Sequence, residues 1–139
     1  MNLWGVRSAR VRSEISPDLV RLFDRVLQIR NCSLICGRRG KDEQDEEVAK
    51  GTSEVNWPNS YHNCEEDELA DAVDAIPYPT TQADWEDREF WVEWTSFVKG
   101  VAAGLGIEII SGYDWDNDYD LDDQKFYDGP HFQLMVKKV

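Results

Sequence analysis

Tyr127-Asp128-Gly129-Pro130-His131-Phe132-Gln133-Leu134 carries one of only two histidines in 139 residues and runs into a series of apolar, β-prone positions. An aspartate precedes His131 by three positions, and the Gly-Pro between them argues against a helix. The segment therefore reads as a turn feeding a strand over residues 131–136, with a carboxylate and an imidazole at one end. A Zn²⁺ ligand and the group that deprotonates its water can share such a place. The other histidine is His62, and Asp74 follows it by twelve residues. The rest of the chain reads as the scaffold that joins these three places.

Working outward, Ala72-Val73-Asp74-Ala75-Ile76 reads as a buried strand stopped by Pro77 and Pro79. Asp74 breaks its apolar run, and a carboxylate there needs a hydrogen-bonding partner or a cation. Residues 33–36 and 107–110 are two more short strands. Before the first, Ser16-Pro17-Asp18 is a helix start, with Ser16 as cap and Pro17 at the first helical position, and the apolar spacing continues to about residue 30. Residues 41–50 form a polar helix ended by Gly51, residues 52–63 a loop, and residues 65–71 an exposed acidic insertion. Residues 84–105 are the longest helix. Its aromatic stripe (Trp85, Phe90, Trp91, Trp94, Phe97) fits core packing better than a carbohydrate platform. No repeat or linker interrupts residues 1–139. The expectation is one α+β domain: a small, mainly antiparallel sheet packed against helices, with no separate wall-binding module.

The 28 acidic residues outnumber 15 basic ones, for a net charge of −13. That balance argues against nucleic acid, which needs clustered Lys and Arg, and against an anionic membrane surface. No apolar run approaches the roughly 20 residues of a membrane span. Residues 1–13 hold three arginines but no apolar core of a signal peptide, so synthesis in a cytoplasm is expected. Three cysteines are too few and too odd for a disulfide framework. Cys32, Cys36 and Cys64 with His62 have poor spacing for a structural zinc site, and the cysteines read as small core residues.

His62, Asp74 and His131 are two imidazoles and one carboxylate, which around an open fourth position make a catalytic zinc arrangement. Asp128 is then placed to take a proton from water and pass it to a leaving amine. The order Ser60-Tyr61-His62, Ala72-Val73-Asp74, Asp128-Gly129-Pro130-His131 resembles the VanY/VanX-like zinc peptidases, and in particular the phage endolysins that cleave L-alanyl-D-glutamate bonds. Gly37-Arg38-Arg39, Gln44, Gly51 and Gly112-Tyr113-Asp114-Trp115-Asp116 extend the likeness over nearly the whole chain. The resemblance implies the hedgehog/D-Ala-D-Ala-peptidase-like fold, one Zn²⁺ on His62, Asp74 and His131, Asp128 as catalytic base, Arg39 as the substrate or oxyanion arginine, and Ser60 at the substrate. Tyr61, Tyr113 and Gln133 depart from the family's usual Arg, Gly and Glu.

Asp114, Asp116, Asp118 and Asp120 alternate as in the opening of a calcium loop, and some phage relatives use this loop for regulatory Ca²⁺. Against it, Tyr119 and Lys125 stand where such a loop has Gly and Glu, so a solvated acidic loop is the other reading. The expected protein is a monomeric peptidoglycan endopeptidase. It is made in the host cytoplasm and reaches the wall through a membrane lesion opened by a partner. A D-alanyl-D-alanine dipeptidase or carboxypeptidase on the same site is the enzymatic rival. A non-catalytic acidic interaction domain is the rival of another class.

Overall fold

The computed structural model describes residues 1–135. Nine elements follow in order: α1 (Val6–Arg12), α2 (Pro17–Ile29), β1 (Cys32–Cys36), α3 (Lys41–Ala49), β2 (Ala72–Pro77), α4 (Gln82–Trp85), α5 (Arg88–Gly104), β3 (Ile109–Gly112) and β4 (Asp128–Leu134). The strands form one antiparallel sheet in the order β1-β2-β4-β3, the α+β architecture expected.

Strand alternation gives the sheet two different faces. Leu34, Val73, Ala75 and Phe132 point to the helical side and are fully buried. There Phe132 meets Phe23 of α2 and Trp94 of α5, with ring centroids 5.6 and 6.3 Å apart. Trp94 also donates its indole N–H to the Ala75 carbonyl at 3.0 Å, so its one polar atom is satisfied inside the core. Asp74 and His131 lie on the opposite face as direct cross-strand partners, and Gln133 follows His131 on that face. A register shift between Leu34 and Cys36 brings Cys36 opposite Asp74 as well.

Several local expectations give way. The helix over residues 84–105 is two helices. Thr81 and Asp84 cap each other to make the single turn of α4, and the Asp87 carboxylate then restarts α5 by accepting from the Glu89 N–H. Ser16 does not cap α2; its hydroxyl instead donates to Asp71 and lies 3.1 Å from the Ala70 carbonyl, tying the helix start to the segment entering β2. β3 begins at residue 109 because the Ile107 N–H closes α5, donating to Ala102, while Gly106 donates to Ala103 at φ +72°. β4 starts at Asp128 rather than His131, and Val136, part of the expected strand, lies outside the described residues. α1 was not foreseen. It covers edge strand β1, with the Ser8 hydroxyl accepting from the Leu34 N–H at 3.0 Å and Arg7 donating to the Ile35 carbonyl. Of the cysteines only Cys32 is buried in the core; Cys36 and Cys64 are half-buried, because the β1 irregularity turns Cys36 away and Cys64 sits at the base of the acidic loop.

Candidate active site

Cross-strand pairing sets two of the functional side chains. Asp74 and His131 project from adjacent strands on the same face, so their donor atoms meet, with Nδ1 of His131 3.5 Å from the Asp74 carboxylate. His62 arrives from a loop. That loop is held against the β1 exit by the Arg39 N–H donating to the His62 carbonyl at 2.8 Å, and by Ser60, whose hydroxyl accepts from the His62 N–H at 3.3 Å. Nε2 of His62 lies 3.1 Å from Asp74 and 3.2 Å from Nδ1 of His131. His62 is 2% exposed and His131 5%, so this triangle is closed to solvent on most sides.

The outer partners fix the tautomers. Nδ1–H of His62 donates to the Gly37 carbonyl at 2.8 Å, which leaves Nε2 facing inward, free to act as a ligand once it gives up its proton. Nε2–H of His131 donates to the Gln133 side-chain oxygen at 2.8 Å, which leaves Nδ1 facing inward. Histidines that bind metal are commonly held in this way. The three edges of 3.1, 3.2 and 3.5 Å also match a tetrahedron of ligands about 2.0–2.1 Å from a centre, whose edges are about 3.3 Å. The residues present therefore fit a zinc-type cation.

The charges agree with the geometry. Burial by itself lowers an imidazole's pKa, yet Asp74 outweighs it and carries His62 up to about 10. Burial likewise raises Asp74, but His62 and His131 hold it far below the ordinary carboxylate range. The pocket thus stabilises one positive charge, which a proton or a metal ion can supply.

Asp128 lies beside this triangle, with a carboxylate oxygen within 4.8 Å of an Asp74 oxygen and a His131 ring nitrogen. Its carboxyl is pushed up to about 6, by burial first and then by the charge of Asp74. Arg39 enters from the other side. It donates to the Gln44 amide oxygen at 3.0 Å and lies 3.8 Å from Asp74. Gln44, fully buried, also accepts from Asn63 and donates to Ser53 and the Val55 carbonyl, so it fixes the guanidinium in place. Arg39, Ser60, His62, Asp74, Asp128 and His131 open onto one cleft of about 540 Å³, with Gln44 behind its wall.

Three contributors escaped the sequence reading. Cys36 accepts from Arg39 at 3.5 Å and belongs to a metal-capable group with His62 and Asp74, a placement made by the β1 register shift. Trp115 packs its ring against His131, centroids 4.9 Å apart, as one wall of the cleft. Lys125 lines the same cleft. Trp115 left a signal as part of the Gly112–Asp116 motif, and Cys36 a misleading one, grouped with His62 only at a spacing poor for a structural zinc site.

The acidic loop is partly brought together. Asp114, Asp116 and Asp118 place ligand oxygens within 4.8 Å of one another, while Asp120 stands outside that group and accepts from the Asp122 N–H. Asp114 is 1% exposed and 3.6 Å from Lys99 of α5, so this stretch is anchored to the domain.

A profile of the family described as phage L-alanyl-D-glutamate peptidase matches residues 3–135. Among solved structures, the chain is similar to the crystal structure of the Serratia marcescens L-Ala D-Glu endopeptidase ChiX. The identity is 26% over 93% of this chain and 86% of that one, with a TM-score of 0.67. A comparison with curated proteins finds no match.

Proposed function

The chain belongs to the phage L-alanyl-D-glutamate peptidase family, a family of peptidoglycan endopeptidases, and on that premise we propose that it cuts the L-alanyl-D-glutamate bond of the stem peptide with one Zn²⁺ held by His62, Asp74 and His131. The observation that carries this reading is the convergence of two tautomer-fixed imidazoles and one carboxylate with tetrahedral spacing at the floor of an open cleft. When bound, the metal supplies Lewis acidity toward the scissile carbonyl and makes a water more acidic.

The chain's own residues do the rest. Asp128 takes the proton of the attacking water and returns it to the leaving amine, the role its partly buried, raised carboxyl suits. Arg39, held by Gln44, presents a fixed positive charge toward the cleft, where negative charge develops on the carbonyl oxygen. Ser60 supports the His62 turn and faces the substrate. In the acidic loop, Asp114, Asp116 and Asp118 form a second cation site, for Ca²⁺, with Asp120 outside it. Residues 1–139 act as one peptidase unit and as a monomer.

The substrate places the reaction at the cell wall, and among the described residues no helix is long and apolar enough to cross a membrane. We take passage to the wall to run through a membrane lesion opened by a partner. The reading as a non-catalytic acidic domain is overturned by the peptidase family match.

Mass spectrometry of digested muropeptides tests the bond: new N-terminal D-glutamyl ends are expected, whereas released D-alanine or D-alanyl-D-alanine points to the rival activity. His131→Ala is expected to lose most bound zinc by elemental analysis. A variant keeping one zinc per chain refutes the ligand set.

A further inference from the structure

Stem peptides are anionic, and this chain carries a net charge of −13, so substrate approach depends on local cations within the cleft. Its lining holds two permanently cationic side chains, Arg39 and Lys125. Arg39 is committed to the protein: it donates to Gln44 and Cys36, lies 3.8 Å from Asp74, and its side chain is only 12% exposed. Lys125 is exposed. The other described lysines, Lys41, Lys50 and Lys99, each pair with a carboxylate, and Lys125 pairs with none among the described residues.

The substrate has a group that fits this unpaired cation. Where L-alanine is joined to D-glutamate in a stem peptide, the chain continues through the γ-carboxyl. The α-carboxylate of the glutamate therefore remains free, next to the scissile nitrogen. Lys125 and Asp128 belong to one segment of the cleft lining, three residues apart. The charge adjacent to that nitrogen and the group that protonates it are thus supplied together.

Resting on the peptidase reading above, we propose that Lys125 is a specificity-determining residue that receives the α-carboxylate of the D-glutamyl residue, so that the enzyme favours stem peptides in which this carboxylate is free over those in which it is amidated. An ammonium offers three donors and a point charge to a carboxylate, whereas a carboxamide accepts fewer hydrogen bonds and carries no charge.

The test uses the zinc-loaded protein and two synthetic stem peptides that differ only in an α-carboxylate or α-carboxamide on the D-glutamyl residue. The parent is expected to prefer the carboxylate peptide by on the order of 10-fold in kcat/KM, mostly through KM. Lys125→Met should bring that ratio to about one by losing activity on the carboxylate peptide, and Lys125→Arg should restore most of the preference. A parent ratio of one, or a Lys125→Met protein that keeps the parent's ratio, overturns the role of Lys125 and leaves the peptidase reading intact. A parent that cuts neither peptide nor purified peptidoglycan overturns both.

Discussion

In the proposed mechanism the chemistry turns on Asp128, and its environment makes two quantities measurable. Burial first and then the charge of Asp74 raise its pKa, His131, His62 and Arg39 pull it down, and the balance stands at about 6. A general base works only when ionised, so activity should be lost as pH falls through that value; bound zinc adds positive charge and can only move the limb lower. Asp128→Asn is expected to bind one zinc and to melt close to the parent, yet to lose roughly 10²–10⁴-fold in hydrolysis. If Asp128 served only to start β4, Asn would be close to neutral in a turbidity assay, and near-parent cleavage would refute the assigned base. The residues that the sequence made legible here are those with scarce chemistry: both histidines, and the aspartates placed near them. Gln44 and Gln133, which hold Arg39 and His131, were noted only as family positions, because an amide's partner depends on neighbours that the chain order does not give.

At the level of elements, the start of β4 is threaded between α5 and β3. A methyl group built on Gly129 would fall well inside van der Waals contact with the Trp91 indole, and one on Gly112 would meet the Asp128 carbonyl. The missing side chains let β4 lie close enough for Asp128 and His131 to face Asp74. Gly129→Ala should therefore destabilise the fold by about 1–3 kcal/mol and weaken zinc binding, since the strand must shift off α5. Combined with Trp91→Leu, which opens that space, the loss should be clearly less than the sum of the two single losses in a double-mutant cycle. Strict additivity in thermal melts would show that the indole contact is not the cause. The same scale explains why the helix over residues 84–105 divides: an aromatic stripe predicts a helical face, but Asp87 can cap as well as continue, and the capped break places Trp91 where its N–H reaches the Trp85 carbonyl.

For the whole molecule, the site couples metal, protons and stability. In the metal-free protein Asp74 is depressed, so its contribution to stability is present above its ordinary pKa of about 4 and lost as pH falls through the lower folded value. His62 is raised, so its contribution is present below its ordinary value of about 6.5 and lost as pH rises toward about 10. On the proposed ligand set zinc must displace the proton on His62, so its affinity should fall as pH falls. The rise in melting temperature on adding zinc should then be larger at about pH 8 than at about pH 6, and calorimetry should detect proton release. An increment that shrinks over that range would contradict the ligand set. Calcium, acting through Asp114, Asp116 and Asp118, should raise the melting temperature separately, and Asp116→Ala with Asp118→Ala should abolish that response while leaving the zinc response in place.

Composition, strand and helix periodicity and the spacing of two histidines and two aspartates carried the fold class, the order of most elements and a candidate ligand set, and the resemblance of the motif order to a peptidase family carried the chemistry. Those features are local or compositional: an apolar alternation specifies a buried strand whatever it pairs with, and a rare imidazole marks a site wherever it is placed. Tertiary structure decided the remainder. The pairing of Asp74 with His131, the shift that turns Cys36 toward the site, the tautomer of each histidine and the placing of Trp115 and Lys125 on one cleft all depend on which strands lie side by side. α1 was invisible for a related reason. Seven residues without a capping side chain are too few to show a period, and their helix is stabilised by covering the edge of β1, a contact that exists only after the sheet has formed.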